Sequence, residues 1–125
     1  MKQMIYQFQR INEILDEGFY NGFHYIICSY GTHPCAYVQV PETHDFYGMP
    51  YDDIEVDCHG GLTYGRFAKN GTYWIGWDYA HYGDYVGYYL MRYGYEAKKW
   101  TTEEIYEDVK YVIDQLNGSV NNEKN

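Results

Sequence analysis

His59, Thr63, Asp78, His81 and Asp84 are the side-chain types from which a ligand-binding or catalytic cluster is assembled, and a hairpin lies between them. Asn70-Gly71 sits between LTYGRF and TYWIGWD, and Asn-Gly between β-prone runs favours a two-residue turn with positive φ at both central positions. That turn sets Phe67 opposite Trp74, Gly65 opposite Gly76 and Thr63 opposite Asp78, and it brings His59 beside His81. Asp57 precedes His59 by two residues, so a strand over residues 54–58 points both side chains to one face. Imidazole and carboxylate groups are the ligands that zinc or manganese accepts, with an open position for an activated water. An Asp–His pair is also a general base. The ligand-binding candidates are therefore His59, Thr63, Asp78, His81 and Asp84, and the metal candidates Asp57, His59, Asp78 and His81. The bland alternative is a structural hydrogen-bond network. It has weight, because no HExxH-like spacing and no well-placed serine or cysteine nucleophile accompanies the cluster.

The same register puts Leu62, Tyr64, Arg66, Ile75, Trp77 and Tyr79 on one face. Thr63, Gly65, Phe67, Trp74, Gly76 and Asp78 share the other. Two facing glycines form a bare floor that either a crossing helix or a ligand can fill. His24 in a strand and His33 in a turn lack partners at ligand spacing and read as structural, whereas His44, in a long polar loop, is a candidate for function.

The elements that hold these residues follow from periodicity. Ile5, Phe8, Ile11, Ile14 and Leu15 have helical spacing and Gly18 is a stop, which predicts a helix over residues 5–17. Residues 23–30 and 35–40 predict an antiparallel pair, and residues 42–53 a loop. Residues 86–100, with Arg92, Lys98 and Lys99 among aromatics, read as an irregular edge strand or a packed loop; tyrosines covering the core edge suit so acidic a chain better than a stacking platform for a base. Thr101 and Glu104 form a capping box. Ile105, Val109, Val112, Ile113 and Leu116 make a core-facing stripe, Asn117-Gly118 is a stop, and Glu103, Glu107, Asp108 and Asp114 are a solvated face. The fold class is α+β: an antiparallel sheet of about five strands with N-terminal and C-terminal helices packed on it. Residues 1–118 form a single globular domain and 119–125 a flexible tail.

Composition agrees with a folded globule, at 46% hydrophobic and 21% aromatic residues with 18 tyrosines. A net charge of −9 disfavours binding to nucleic-acid backbones or anionic membranes and suits a basic protein partner. Cys28, Cys35 and Cys58 lack Cys-x-x-Cys spacing and read as reduced and mainly buried. No signal peptide or spanning segment is evident, so the expected location is the cytosol.

HGGLTY at 59–64, then WIGWD at 74–78 with Ala80-His81 and Gly83-Asp84, resembles a family of small bacteriophage and prophage proteins. The likeness reaches back to AYVQVPE at 36–42 with His44 and Gly48, and forward to the last helix. Trp77 and Tyr79 depart from the expected pattern. The resemblance implies a phage accessory protein in the host cytosol and brings no established activity. Three functions follow from these readings. One is a binding or inhibitory module against a host factor, such as an anti-defence protein, acting on a host protein or sequestering a small nucleotide-like ligand. Another is a metal-dependent hydrolase using the His/Asp cluster and a divalent metal. The last is an assembly role, as a homo-oligomer joined through Tyr- and Trp-rich surface.

Overall fold

FHYIICS and PCAYVQV, rich in β-branched and aromatic residues, form the middle of the sheet as β2 (Phe23–Ser29) and β3 (Pro34–Val40). The computed structural model describes residues 13–31, 33–81, 84 and 98–123. β1 (Glu13–Tyr20), β4 (Tyr64–Phe67) and β5 (Tyr73–Asp78) complete five antiparallel strands in the order β1-β2-β3-β5-β4. Helix α1 (Thr102–Glu123) follows. The α+β class and the five-stranded sheet are as expected.

The N-terminal helix is not. Glu13–Tyr20 is a strand paired with β2 from Glu13↔Ser29 to Tyr20↔Phe23, and residues 5–12 of the expected helix lie outside the described residues. The cause is the turn that follows. Asn21 and Gly22 have φ of 48° and 83°, the two positive values of a two-residue hairpin turn, and they fold β1 back on β2. Tertiary pairing overrides the helical spacing of Ile14 and Leu15.

Asn70-Gly71 behaves differently. Only Gly71, at φ 88°, is positive, and Ala68 and Thr72 close the loop through Ala68 N–H to Thr72 O at 2.7 Å. This three-residue loop shifts the register by one, giving Tyr64↔Gly76, Gly65↔Ile75, Arg66↔Trp74 and Phe67↔Tyr73. A one-residue slip re-sorts the faces. Tyr64 and Arg66 therefore join Trp74 and Gly76, and Gly65 and Phe67 join Ile75. The glycine floor is absent. A Cβ on Gly76 would lie 2.5 Å from Tyr37 Cδ1, and one on Gly65 would lie 2.7 Å from the Tyr73 hydroxyl. Each glycine seats an aromatic ring, on opposite faces of the sheet.

One face carries Tyr25, Ile27, Ala36, Val38, Ile75 and Trp77, packed with Ile105, Val109, Val112, Ile113 and Leu116 of α1. Each of the Val, Ile and Leu side chains contributes about 1.5–3 kcal/mol by leaving water. The other face holds Ile26, Cys28, Cys35, Tyr37 and Trp74, and it too is buried. Among the described residues, the Tyr37 and Trp74 rings on that face are buried.

β4 runs parallel to β3 with β5 between them, so the chain must cross over before it can re-enter the sheet. Residues 41–63 make that crossover. Phe46, Tyr47, Met49, Val56 and Leu62 lie on the helix-side core, a short 3-10 turn spans Tyr51–Asp53, and residues 54–58 are irregular rather than the expected strand. The capping box forms as expected: Thr101 N–H donates to Glu104 Oε1 at 3.0 Å and Glu104 N–H to Thr101 Oγ1 at 3.2 Å. Asn117-Gly118 does not end the helix, which continues to Glu123 and takes in most of the expected tail. Gly118 is not among the residues with positive φ, and without that left-handed step glycine weakens a helix but does not stop it. Residues 85–97, with Arg92, lie outside the described residues.

Candidate functional site

β5 ends at Asp78, and the segment beyond it meets the approach to α1 at Asp84, which pairs with Lys98 in an isolated parallel bridge. Asp84 is a 4% exposed carboxylate with three donors around it. Its Oδ2 accepts from His59 Nε2 at 2.7 Å and from the His81 backbone N–H at 3.0 Å, and its Oδ1 accepts from Trp100 Nε1 at 2.8 Å. A carboxylate only accepts, so His59 carries its proton on Nε2. Burial alone would raise the Asp84 carboxyl, but the bonds from His59, His81 and Trp100 outweigh it and hold the group below the ordinary value of 3.8.

Aromatic rings enclose His59. It stacks on Tyr79 at 4.7 Å and 5°, meets Trp100 at 4.7 Å, and touches His81 edge-on at 5.7 Å. Tyr79 links this group to the helix, donating its hydroxyl proton to Asp108 Oδ2 and accepting from Trp77 Nε1 at 3.1 Å. Burial, reinforced by Asp108, pushes the Tyr79 phenol well up. Asp108 is thus part of this network rather than of the solvated helix face. Asp114 lies 3.4 Å from both the Tyr20 hydroxyl and Asn21 Nδ2. Lys98 is engaged with Glu104 at 2.7 Å and lies 4.2 Å over the Trp100 ring.

A second group adjoins the first. His81 Nε2 is 3.1 Å from Asp78 Oδ1 without hydrogen-bond alignment, and Thr63 Oγ1 donates to Asp78 Oδ2 at 3.3 Å. Thr63 reaches Asp78 despite the slipped register because its N–H bonds Gly76 O, one position beyond the last regular pair. The His81 ring lies directly on Gly60: a Cβ there would come 2.2 Å from Nε2, and φ at Gly60 is +70°. All five candidate residues, His59, Thr63, Asp78, His81 and Asp84, therefore come together as two linked groups.

Asp57 does not join them. Residues 54–58 are not a strand, and Asp57 is bound to the helix instead: its N–H donates to Gln115 Oε1 at 2.8 Å, and Gln115 Nε2 donates to its carbonyl at 2.7 Å. Among the described residues, no three His, Cys, Asp or Glu side chains are grouped so as to hold a metal ion. Burial pushes the Cys58 thiol up to about 12, so it is no thiolate nucleophile at neutral pH. His59 and Asp84 form the Asp–His pair of a general base. Among the described residues, no serine or cysteine side chain is hydrogen-bonded to that His59 ring as a nucleophile.

His44 is buried and structural. Its Nδ1 accepts from the Phe46 N–H at 3.0 Å, so the proton is on Nε2, which donates to Leu116 O at 2.9 Å. It fastens the crossover to α1. Cys28 and Cys35 are buried free thiols, as expected, and Cys58 is half-buried. His24 Nε2 bonds Glu17 Oε2 at 2.7 Å, and the His33 ring lies 6.1 Å from that of Tyr30.

Sequence reasoning missed Trp100, Tyr79 and Asp108 as partners of this cluster. Trp100 directly precedes the capping box, which marks it as the residue delivered to the helix entrance. Sequence reasoning also passed over a second feature. No lysine or arginine occurs between Arg10 and Arg66, and Glu42, Asp45, Asp52, Asp53, Glu55 and Asp57 are all exposed along the crossover. Tyr51 and Phe67 are exposed with them. Among the described residues, no helix is long and apolar enough to cross a membrane. Comparisons with family models, with curated proteins and with solved structures found no match.

Proposed function

We propose that the protein is a phage accessory binding module that presses an acidic surface onto a basic groove of a host factor and competes there with nucleic acid. One observation carries this reading: six exposed carboxylates along residues 42–57, with no basic residue among them. The surface is also held in place. The crossover is anchored by His44 to Leu116, by the Tyr73 hydroxyl to Met49 O and by Asp57 to Gln115. A preorganised surface loses less conformational freedom on binding than a loose acidic loop would. Spaced carboxylates with exposed aromatics present the charge and stacking groups that a nucleic-acid groove accepts. The His59–Asp84 group then serves as a clamp joining the crossover, the end of β5 and the helix entrance. Hydrolysis is the weaker reading, since Asp57 is directed elsewhere and, among the described residues, no three ligand side chains are grouped to hold a metal ion.

The test is displacement. Bacterial nucleic-acid-binding proteins are loaded on DNA-cellulose and challenged with this protein at several salt concentrations. The expected result is salt-sensitive release of a discrete host protein. A variant combining Asp52→Asn, Asp53→Asn, Glu55→Gln and Asp57→Asn should lose at least tenfold in potency, while a folded His59→Gln variant keeps it. Release that survives neutralisation, or that requires His59 in a folded variant, would overturn the reading.

A further inference from the structure

A cavity of about 480 Å³ is lined by residues 14–19 of β1 and by His24. Successive strand residues point to opposite faces, so a cavity touching six in a row lies along the strand's outer edge. Among the described residues, β1 has β2 as its one neighbour. Glu17 lies in this edge groove with its two oxygens in different states. Oε2 bonds His24 Nε2 at 2.7 Å, while Oε1 is buried with no hydrogen-bond partner. A buried acceptor without a donor forfeits the hydrogen bond it had to water, and a suitable donor would restore it. Phe19, two residues on and on the same side of the strand, is 71% exposed. One face of its ring is stacked on His24 at 4.7 Å and 21°, and among the described residues no ring is stacked on the other. Asp16 supplies further negative charge, although its carboxylate already accepts from Glu17 N–H and the Tyr25 hydroxyl.

We propose that this groove takes a guanidinium group, the arginine side chain of an extended segment of a partner protein, laid flat on the face of Phe19 opposite His24 with an N–H directed at Glu17 Oε1. Guanidinium is the cation that fits. It is planar, stacks on aromatic rings and sheds water more readily than the compact ammonium of lysine. Charge complementarity favours a basic partner over a second copy, because two chains at net −9 repel. The site is separate from the acidic crossover, whose residues do not line the groove, so neutralising residues 52–57 leaves it intact.

The probe is N-acetyl-arginine amide, titrated against the full chain and followed by NMR at the Phe19 and His24 rings. The expected result is a saturable millimolar shift confined to those rings and Glu17. N-acetyl-lysine amide should bind several-fold more weakly and the uncharged citrulline analogue not at all. Glu17→Gln and Phe19→Ala should each abolish the shift, while Phe67→Ala, which removes an exposed ring elsewhere, keeps it. Equal responses to arginine and citrulline, or binding that persists in a folded Glu17→Gln variant, would overturn the proposal. So would a dimer in sedimentation that Phe19→Ala dissolves, which would give the groove to a second copy.

Discussion

Asp84 is the residue on which the candidate cluster depends, and its environment sets a pH dependence. A carboxyl whose folded pKa lies below its unfolded value stabilises the fold above the unfolded value, and that contribution is lost as pH falls through the folded one. The Asp84 carboxyl is lowered in this way. Asp84→Asn keeps the shape but removes the charge that His59, His81 and Trp100 address. It should cost about 3 kcal/mol at pH 7, and the gap from the parent should close as pH falls below 3.8. Urea melts of both proteins across that range measure it; a gap independent of pH would show that the charge is not what matters. Gly60 makes a different demand. Gly60→Ala puts a methyl into the His81 ring at a backbone angle that alanine resists, so it should cost more than about 2 kcal/mol. His81→Ala in the same chain should restore part of that loss, and a double-mutant cycle in thermal melts would show the coupling.

At the scale of elements, the two Asn-Gly pairs explain what was and was not legible in the sequence. Their dipeptides are identical, yet Asn21-Gly22 makes the tight turn and Asn70-Gly71 the looser one. One local difference accompanies this: the Asn70 side chain accepts from the Thr72 N–H at 3.1 Å and the Thr72 hydroxyl at 2.6 Å, whereas Asn21 Nδ2 reaches Asp114. The choice is made by pairing: β1 and β2 match along seven partner pairs, whereas β4 is short and its register is set by where Tyr37 and the Tyr73 hydroxyl need glycine beneath them. The C-terminal helix was legible because its cap and its stripe are both local patterns. Residues 13–17 form strand rather than helix because spacing alone cannot tell an apolar helix face from a strand that alternates imperfectly; β1 has a register irregularity between Ile14 and Asp16. The cluster of His59, Thr63, Asp78, His81 and Asp84 was legible as a neighbourhood, since any tight hairpin over these residues brings its two ends together. Its chemistry was not. Asp57 turns to Gln115 because the crossover runs over the helix, and that path depends on a strand order that no local pattern encodes.

At the scale of the whole molecule, charge and order are unevenly distributed. The exposed acids of the crossover lie on a segment tied to α1 and β5, while the groove along β1 lies at the far edge of the sheet, beyond β2 and β3. The two proposed contact surfaces are thus separate. The strand order also has a kinetic consequence. β1, β2 and β3 form a meander of neighbours, and β4 and β5 form a hairpin, so each group can assemble from local contacts. Joining them through β3 and β5 requires Val40 to find Tyr73 across the whole crossover, a closure whose entropy must be met before the helix-side core can reward it. That docking is the expected rate-limiting step of folding. Val38→Ala and Ile75→Ala, at facing positions in the joint, should slow refolding in stopped-flow measurements, whereas Phe67→Ala at the outer edge should mainly speed unfolding. An early intermediate would then be two small sheets connected by an acidic tether, each with an unpaired strand edge complementary to the other.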